Sequence, residues 1–175
     1  MEMIDLSLPG LKLLRLDVFH DDRGYFKECY QKPRYLEKAV DCEFVQDNLS
    51  YSKKNVIRGM HFDLSQAKLV SVLQGAIFDV VVDIRPDSPT FGKWEGVYLE
   101  ADQHQQLYIP AGFAHGFCVT NSEGAHVHYK ISSAYNAATE QSFRFDDPHV
   151  NIVWPIQNPI VSLRDQHAPL LCEVQ

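Results

Sequence analysis

The chain has no apolar run long enough to cross a bilayer. Its N-terminus lacks a basic stretch followed by an apolar core, so neither a membrane span nor a secretory leader is expected. Positive charge is scarce: 16 Lys and Arg against 23 Asp and Glu give a formal charge of −7. That balance argues against the basic face of a nucleic-acid binder. It leaves room for a local Arg/Lys cluster around a phosphorylated small molecule. Cysteine is limited to Cys29, Cys42, Cys118 and Cys172, with no C-x-x-C pair, which argues against a structural zinc site. Four scattered thiols without a leader read as reduced and cytoplasmic. The glycine fingerprints of dinucleotide and P-loop sites are missing, so no nicotinamide cofactor or phosphoryl-transfer site is expected. No Gly-x-Ser-x-Gly elbow supports nucleophilic hydrolysis. Without repeats, low-complexity tracts or linkers, residues 1–175 read as one domain with a core of its own.

What the chain does have is many short strands. Pro9-Gly10 marks a turn, and Asp21-Asp22-Arg23-Gly24 a second one before a strand-like run from Tyr25 to Tyr30. Residues 33–40 are the best helix candidate of the N-terminal half, with Pro33 suited to a first turn. Residues 68–75 and 76–85 read as a hairpin about Gly75, the return strand being strongly β-branched. Asp79 and Asp83 then share one strand face, with Phe78, Val80, Val82 and Ile84 on the other. Further strands are expected over 94–99, 105–110, 117–119 and 126–131, and a mixed polar stretch over 136–147. This pattern indicates an all-β antiparallel jelly roll or barrel, a common host for an internal small-molecule pocket.

Two runs pair histidine with glycine: Arg58-Gly59-Met60-His61, followed by Lys68, and Pro110 to Phe117, which holds His115 and Gly116. Histidine titrates nearest neutrality, and glycine allows sharp turns and close approaches. A proton-transfer pocket for an anionic substrate is one reading; two barrel-closing loops with incidental histidines is the other. Gln46-Asp47-Asn48 in a strand-like segment suits either a polar edge or turn or a ligand-reading strand, and Asp83, with Asp79 as a further candidate, lies either at the barrel mouth or paired inside it. His126-x-His128 with His115 invites a metal-site reading. If Tyr129 faces the pocket, however, His126 and His128 must face away from it. His20, His104, His149 and His167 read as surface residues.

The runs Asp22 to Glu28, Phe44 to Asn48, Arg58 to His61, Lys68 to Val70, Val82 to Arg85, Ser88 to Trp94, Ile109 to Phe117, Tyr129-Lys130 and Trp154-Pro155 resemble, in order, the dTDP-4-dehydrorhamnose 3,5-epimerases of the cupin superfamily. The resemblance implies a cupin jelly roll (double-stranded β-helix) with a few short peripheral helices. It implies a homodimer that exchanges N-terminal strands. The implied activity is metal- and cofactor-independent epimerisation at C3 and C5 of dTDP-4-dehydro-6-deoxy-D-glucose. By the same resemblance, His61 is the base, Tyr129 the proton donor, Asp165 the orienting carboxylate and Lys68 the cation near the keto oxygen. Arg58, His115, Tyr135, Glu140 and Arg164 are carried over as substrate contacts. Arg23, Phe26, Glu28, Gln46 and Asn48 are carried over as nucleotide contacts, some serving the neighbouring subunit. The chain departs from the family in a short loop, Phe62 to Ala67, with Asp63 where Gln is common; in Ala134, where tyrosine is frequent; and in Arg164, where lysine is common. These departures keep open a C3- or C5-only epimerase, a GDP- or CDP-linked substrate, a non-catalytic sugar-binding cupin and a metal-dependent cupin oxygenase.

Overall fold

The computed structural model describes residues 1–38, 40 and 42–174. In chain order the strands are β1 (Glu2–Asp5), β2 (Lys12–Arg15), β3 (Val18–Asp21), β4 (Gly24–Lys27), β5 (Gln46–Ser52), β6 (Ile57–Phe62), β7 (Lys68–Gln74), β8 (Ala76–Asp83), β9 (Trp94–Glu100), β10 (Gln105–Ile109), β11 (Phe113–Val119), β12 (Ala125–Ile131) and β13 (Gln141–Ser142). Two short helices, α1 (Lys32–Glu37) and α2 (Leu163–Gln166), are peripheral. The expected helix over 33–40 is thus shorter and starts one residue earlier; residue 39 lies outside the described residues.

Two antiparallel sheets face each other, one ordered β1-β2-β10-β7-β12-β5 and the other β13-β6-β11-β8-β9. This is the expected jelly roll. β3 and β4 pair only with each other. β1 pairs with β2, and β2 with β10 of the same chain, so the first strands complete this chain's own sheet.

The hairpin expected about Gly75 is not formed. β7 pairs with β10 and β12, whereas β8 pairs with β11 and β9 in the opposite sheet. The turn at Gly75 carries the chain from one layer to the other. Gly75 has φ +84, and a Cβ there would lie 2.2 Å from the Gly124 carbonyl oxygen, so only glycine fits. Pattern alone could not separate the two outcomes, because crossing layers buries both apolar strands as well as pairing them does.

Three clusters hold the fold. Val70, Val72, Ile77, Val81, Leu107 and Phe113 fill the space between the sheets. Phe78, Val80, Val82 and Ile84 form the apolar face expected for β8, but they point outward from the second sheet. The C-terminal segment covers them through Phe143, Val150, Trp154 and Leu171. Across the first sheet, Tyr35 of α1 packs with Leu14, Leu69 and Tyr108.

Candidate active site

The two histidine-glycine runs meet. β6 and β11 are adjacent, and His61 is register partner of His115. Gly59 and Gly116 face one another across the pair. A Cβ on Gly59 would stand 2.6 Å from Gly116 Cα, and one on Gly116 2.6 Å from Met60 Sδ and 2.9 Å from the Arg58 oxygen. The register shifts between His115 and Phe117, the kind of irregularity that re-aims side chains beside an active site. Both histidines then line one cavity of about 300 Å³.

His61 Nε2 lies 2.7 Å from Asp165 Oδ1. Ser162 caps α2 by accepting the Asp165 N–H at 3.1 Å, and Asp165 also accepts the Gly59 N–H at 3.4 Å. Burial alone would raise the Asp165 carboxyl. The His61 hydrogen bond and charge, with Gly59, more than offset it, so the group stays below the usual carboxylate range.

Tyr129 reaches the cavity from β12, in the sheet opposite His61. Burial, then the negative charge of Glu140, push its phenol up. Lys68, on β7, is 8% exposed, and its Nζ donates to the His61 carbonyl at 3.5 Å. Burial lowers the Lys68 ammonium to about 8, against the opposing pull of Glu140, Asp79 and Asp63.

At the cavity wall, Arg58 donates to Ser52 Oγ at 2.7 Å and to the Tyr51 carbonyl at 3.1 Å. Glu140 pairs with Arg164 at 2.8 Å. Gln46 donates to Asn48 Oδ1 at 2.8 Å and accepts the Tyr135 N–H at 3.0 Å. The cavity therefore gathers His61, Lys68, Tyr129, Gln46, Asn48, Arg58, His115, Tyr135, Glu140 and Arg164, while Asp165 stands behind the histidine.

Other expected residues lie elsewhere. Asp47 alternates to the outer face of β5, where it accepts from His128 at 2.8 Å and Lys130 at 2.7 Å. Period two puts it opposite Gln46 and Asn48. Asp83 closes β8 as a wholly buried acceptor for Arg85 at 2.6 and 2.9 Å, Ser88 at 2.6 Å and Thr90 at 2.6 Å. Burial would raise it, but these donors hold it far below the usual range. It anchors the 85–90 turn and does not line the cavity. Arg23, Phe26 and Glu28 sit on or just after the β3–β4 hairpin and do not line this chain's cavity. Arg23 pairs with Asp21 and Glu28 with Arg34, and Phe26 is 70% exposed.

His126 stacks on Tyr51 and His128 binds Asp47, so the His-x-His pair does not converge with His115. Among the described residues, no three His, Cys, Asp or Glu side chains are grouped to hold a metal ion.

Ser50, Gln66 and Ile131, none of them expected at the site, also line the cavity, as does Phe117 at the end of the second histidine-glycine run. Ser50 continues the alternation of Gln46 and Asn48 and was legible on that ground. Asp79, on the same strand face as Asp83, stands against His115. It is fully buried and lies 2.8 Å from His115 Nε2, leaving Oδ1 without a partner. Burial raises its carboxyl despite the charges of His115 and Lys68.

Comparison with known proteins bears on this geometry. The family model described as dTDP-4-dehydrorhamnose 3,5-epimerase matches residues 5–173. A protein of that name from Salmonella typhimurium is 47% identical over 176 residues, covering 98% of this chain and 96% of the relative. Another, from Neisseria gonorrhoeae, is 48% identical over 94% of this chain, which spans about half (51%) of that relative's length. Among solved structures, dTDP-6-deoxy-D-glucose-3,5-epimerase from Legionella pneumophila, in complex with dTDP-4-keto-L-rhamnose, superposes with a TM-score of 0.95. It is 42% identical, with 99% of this chain and 94% of that chain covered.

Proposed function

Because the chain belongs to the dTDP-4-dehydrorhamnose 3,5-epimerase family, we infer that it inverts C3 and C5 of dTDP-4-dehydro-6-deoxy-D-glucose to give dTDP-4-dehydro-L-rhamnose, an isomerase reaction run on side chains alone. The observation that carries this reading is the placement of His61 and Tyr129 on opposing sheets around one cavity. A sugar ring between the sheets presents one face to each group. Inversion requires a proton removed from one face and another delivered to the opposite face.

C3 and C5 both flank the C4 ketone, so their protons are acidified. His61 takes the proton, and the C–H electron pair moves into the ring to form an enolate whose charge rests on the C4 oxygen. Asp165, 2.7 Å from His61, stabilises the imidazolium that results. Lys68, protonated near neutrality, stabilises the enolate oxygen; fixed charge at the point where charge develops is a large catalytic effect. The Tyr129 phenol returns a proton to the other face, and the enolate collapses to the inverted ketone. Acid–base groups of this kind contribute about 10²–10⁴-fold each. Arg58, bound only to neutral oxygens by the hydrogen bonds described, and Arg164 supply positive charge for the diphosphate. Gln46, Asn48 and Tyr135 complete the wall.

The active unit is a homodimer in this reading. β1 and β2 are committed to the chain's own sheet, and the β3–β4 hairpin belongs to neither large sheet. It carries exposed Phe19, Tyr25 and Phe26, and extended to a second copy it would offer Arg23 and Phe26 to that copy's nucleotide. Cys29, Cys118 and Cys172 are free thiols, which suits the cytoplasm, where thiols stay reduced.

Proton NMR in D₂O with dTDP-4-dehydro-6-deoxy-D-glucose tests the function. Deuterium entering C3 and C5, with the product trapped by a reductase as dTDP-L-rhamnose, is the expected result. Incorporation at a single carbon makes the protein a mono-epimerase. No incorporation by folded protein refutes the assignment and turns the search to GDP- and CDP-linked keto sugars.

A further inference from the structure

Asp63 lies outside the wall of the cavity, yet it is the most connected residue of the β6–β7 turn. Its Oδ1 accepts the N–H and hydroxyl of Ser65 at 2.9 and 2.7 Å. Its Oδ2 accepts the Thr139 hydroxyl at 2.6 Å. Thr139 belongs to the segment 132–140, which crosses the mouth of the cavity. Further ties hold the start of that segment to the same turn: Ser132 Oγ accepts the Ala67 N–H at 2.8 Å, the Ser132 N–H donates to the Ala67 carbonyl at 3.0 Å, and Gln66 donates to the Ser133 carbonyl at 3.2 Å and to its hydroxyl at 3.3 Å. The turn and the segment thus form two sides of the cavity mouth, contributing Gln66 on one side and Tyr135 and Glu140 on the other.

Thr139 is the residue before Glu140. Beyond it the chain enters β13, whose Ser142 pairs with His61. Glu140 also reaches across to Arg164 on α2, the neighbour of Asp165. Resting on the epimerase reading above, we propose that Asp63 is a positioning residue: by accepting the Thr139 hydroxyl it latches the 132–140 segment to the β6–β7 turn and fixes the Glu140 carboxylate within electrostatic reach of Lys68 and Tyr129.

The latch matters because Lys68 and Tyr129 must both keep their protons until the enolate forms. Glu140 opposes the burial that strips the proton from Lys68, and it adds to the burial that holds the proton on Tyr129. One carboxylate, held still, favours the working protonation state of both groups. The titratable and charged groups around Lys68 are the carboxylates Glu140, Asp63 and Asp79, the imidazoles His61 and His115, the Tyr129 and Tyr135 phenols and the Arg58 and Arg164 guanidiniums. Glu140 and Tyr135 sit on the latched segment, and of the three carboxylates that act on Lys68 Glu140 alone does. Asp63 also acts on Lys68 through its own charge, so the informative substitution is made at Thr139, which is exposed and uncharged.

The test is an NMR titration of Lys68 in the full-length, substrate-free protein labelled at lysine Cε, with the resonance assigned by its loss in Lys68→Met. Thr139→Val removes one hydroxyl and no charge. It is expected to move the Lys68 midpoint down by about half a pH unit, the scale expected when a nearby carboxylate gains freedom. Thr139→Ser restores the wild-type midpoint. Glu140→Gln lowers it, and Thr139→Val adds nothing in that background. In the exchange assay, the alkaline limb of kcat shifts with the midpoint in each variant. An unchanged midpoint in Thr139→Val, or an equal shift with and without Glu140, overturns the proposal. Because the titration needs no substrate, that failure is separate from failure of the epimerase reading, which would appear as absent exchange by the wild-type protein.

Discussion

Lys68 is placed where function and stability conflict, and the size of the conflict can be worked out. Its ammonium falls from an ordinary 10.5 to about 8, chiefly through burial. A folded-state pKa below the unfolded value means that the buried charge destabilises the native state. Below pH 8 both states hold the proton and the full penalty is present. Between pH 8 and 10.5 the unfolded chain binds more protons, so stability rises with pH; above that window the penalty is gone. The shift corresponds to roughly 3 kcal/mol. Lys68→Met keeps the packed stem and removes the charge, but it also removes the attraction between that charge and Glu140, Asp79 and Asp63, although Glu140 keeps its ion pair with Arg164. A net gain of about 1–2 kcal/mol at pH 7 is expected, or roughly 2–8 °C in Tm for a chain of this size. The assay is urea unfolding of both proteins from pH 7 to 10. The advantage of the variant should be largest at pH 7 and shrink as wild-type Lys68 loses its proton. The same variant should lose at least about 100-fold in kcat, as expected when a preorganised charge is removed from an enolate. A variant less stable than wild type at pH 7, or a gap that does not narrow with pH, refutes the reasoning.

Other substitutions probe the remaining parts. His61→Asn should reduce deuterium exchange at both carbons by at least about 10³-fold while dTDP affinity, measured calorimetrically, stays within a few fold. Tyr129→Phe should keep exchange at the first carbon and lose inversion, read as deuterated but unepimerised substrate; full epimerisation would remove Tyr129 from the mechanism. Gly116→Ala forces a Cβ to 2.6 Å from Met60 Sδ and 2.9 Å from the Arg58 oxygen. It should destabilise the fold by roughly 1–3 kcal/mol through overpacking, with lost exchange. A thermal melt indistinguishable from wild type would show that the two strands can part freely.

The strands and the jelly roll were legible from turn signals and period-two alternation, whereas the catalytic and substrate-contact residues rested on the family resemblance; alternation fixes only which side chains share a face. Tyr129 turned inward with His126 and His128 outward, and Gln46 and Asn48 turned inward with Asp47 outward, on that rule alone. Taking Asp47 as a ligand contact set the rule aside. Layer assignment was not legible. β7 and β8 are joined by one glycine, and nothing local distinguishes a hairpin from a crossing between sheets, since both satisfy the apolar pattern. The choice between barrel mouth and internal pairing for Asp83 was open for a related reason. A carboxylate at a strand end can face a ligand or a turn, and the partners that decide, Arg85, Ser88 and Thr90, became visible only once the turn closed on it. The Asp63–Thr139 bond joins residues 76 positions apart, and no sequence pattern encodes it.

The C-terminal segment carries a temporal consequence. The carboxylate that completes the histidine pair lies on α2, near the end of the chain, and the same segment covers the outer apolar face of β8 through Val150, Trp154 and Leu171. During synthesis every cavity residue, Arg164 last among them, emerges before Asp165 does. A nascent chain can therefore form both sheets and still lack the His61–Asp165 pair, with Phe78, Val80 and Val82 uncovered and prone to association. Docking of this segment covers the outer apolar face of β8 and brings Asp165 to His61 in one event, so the packing of that face and the making of the pair are coupled.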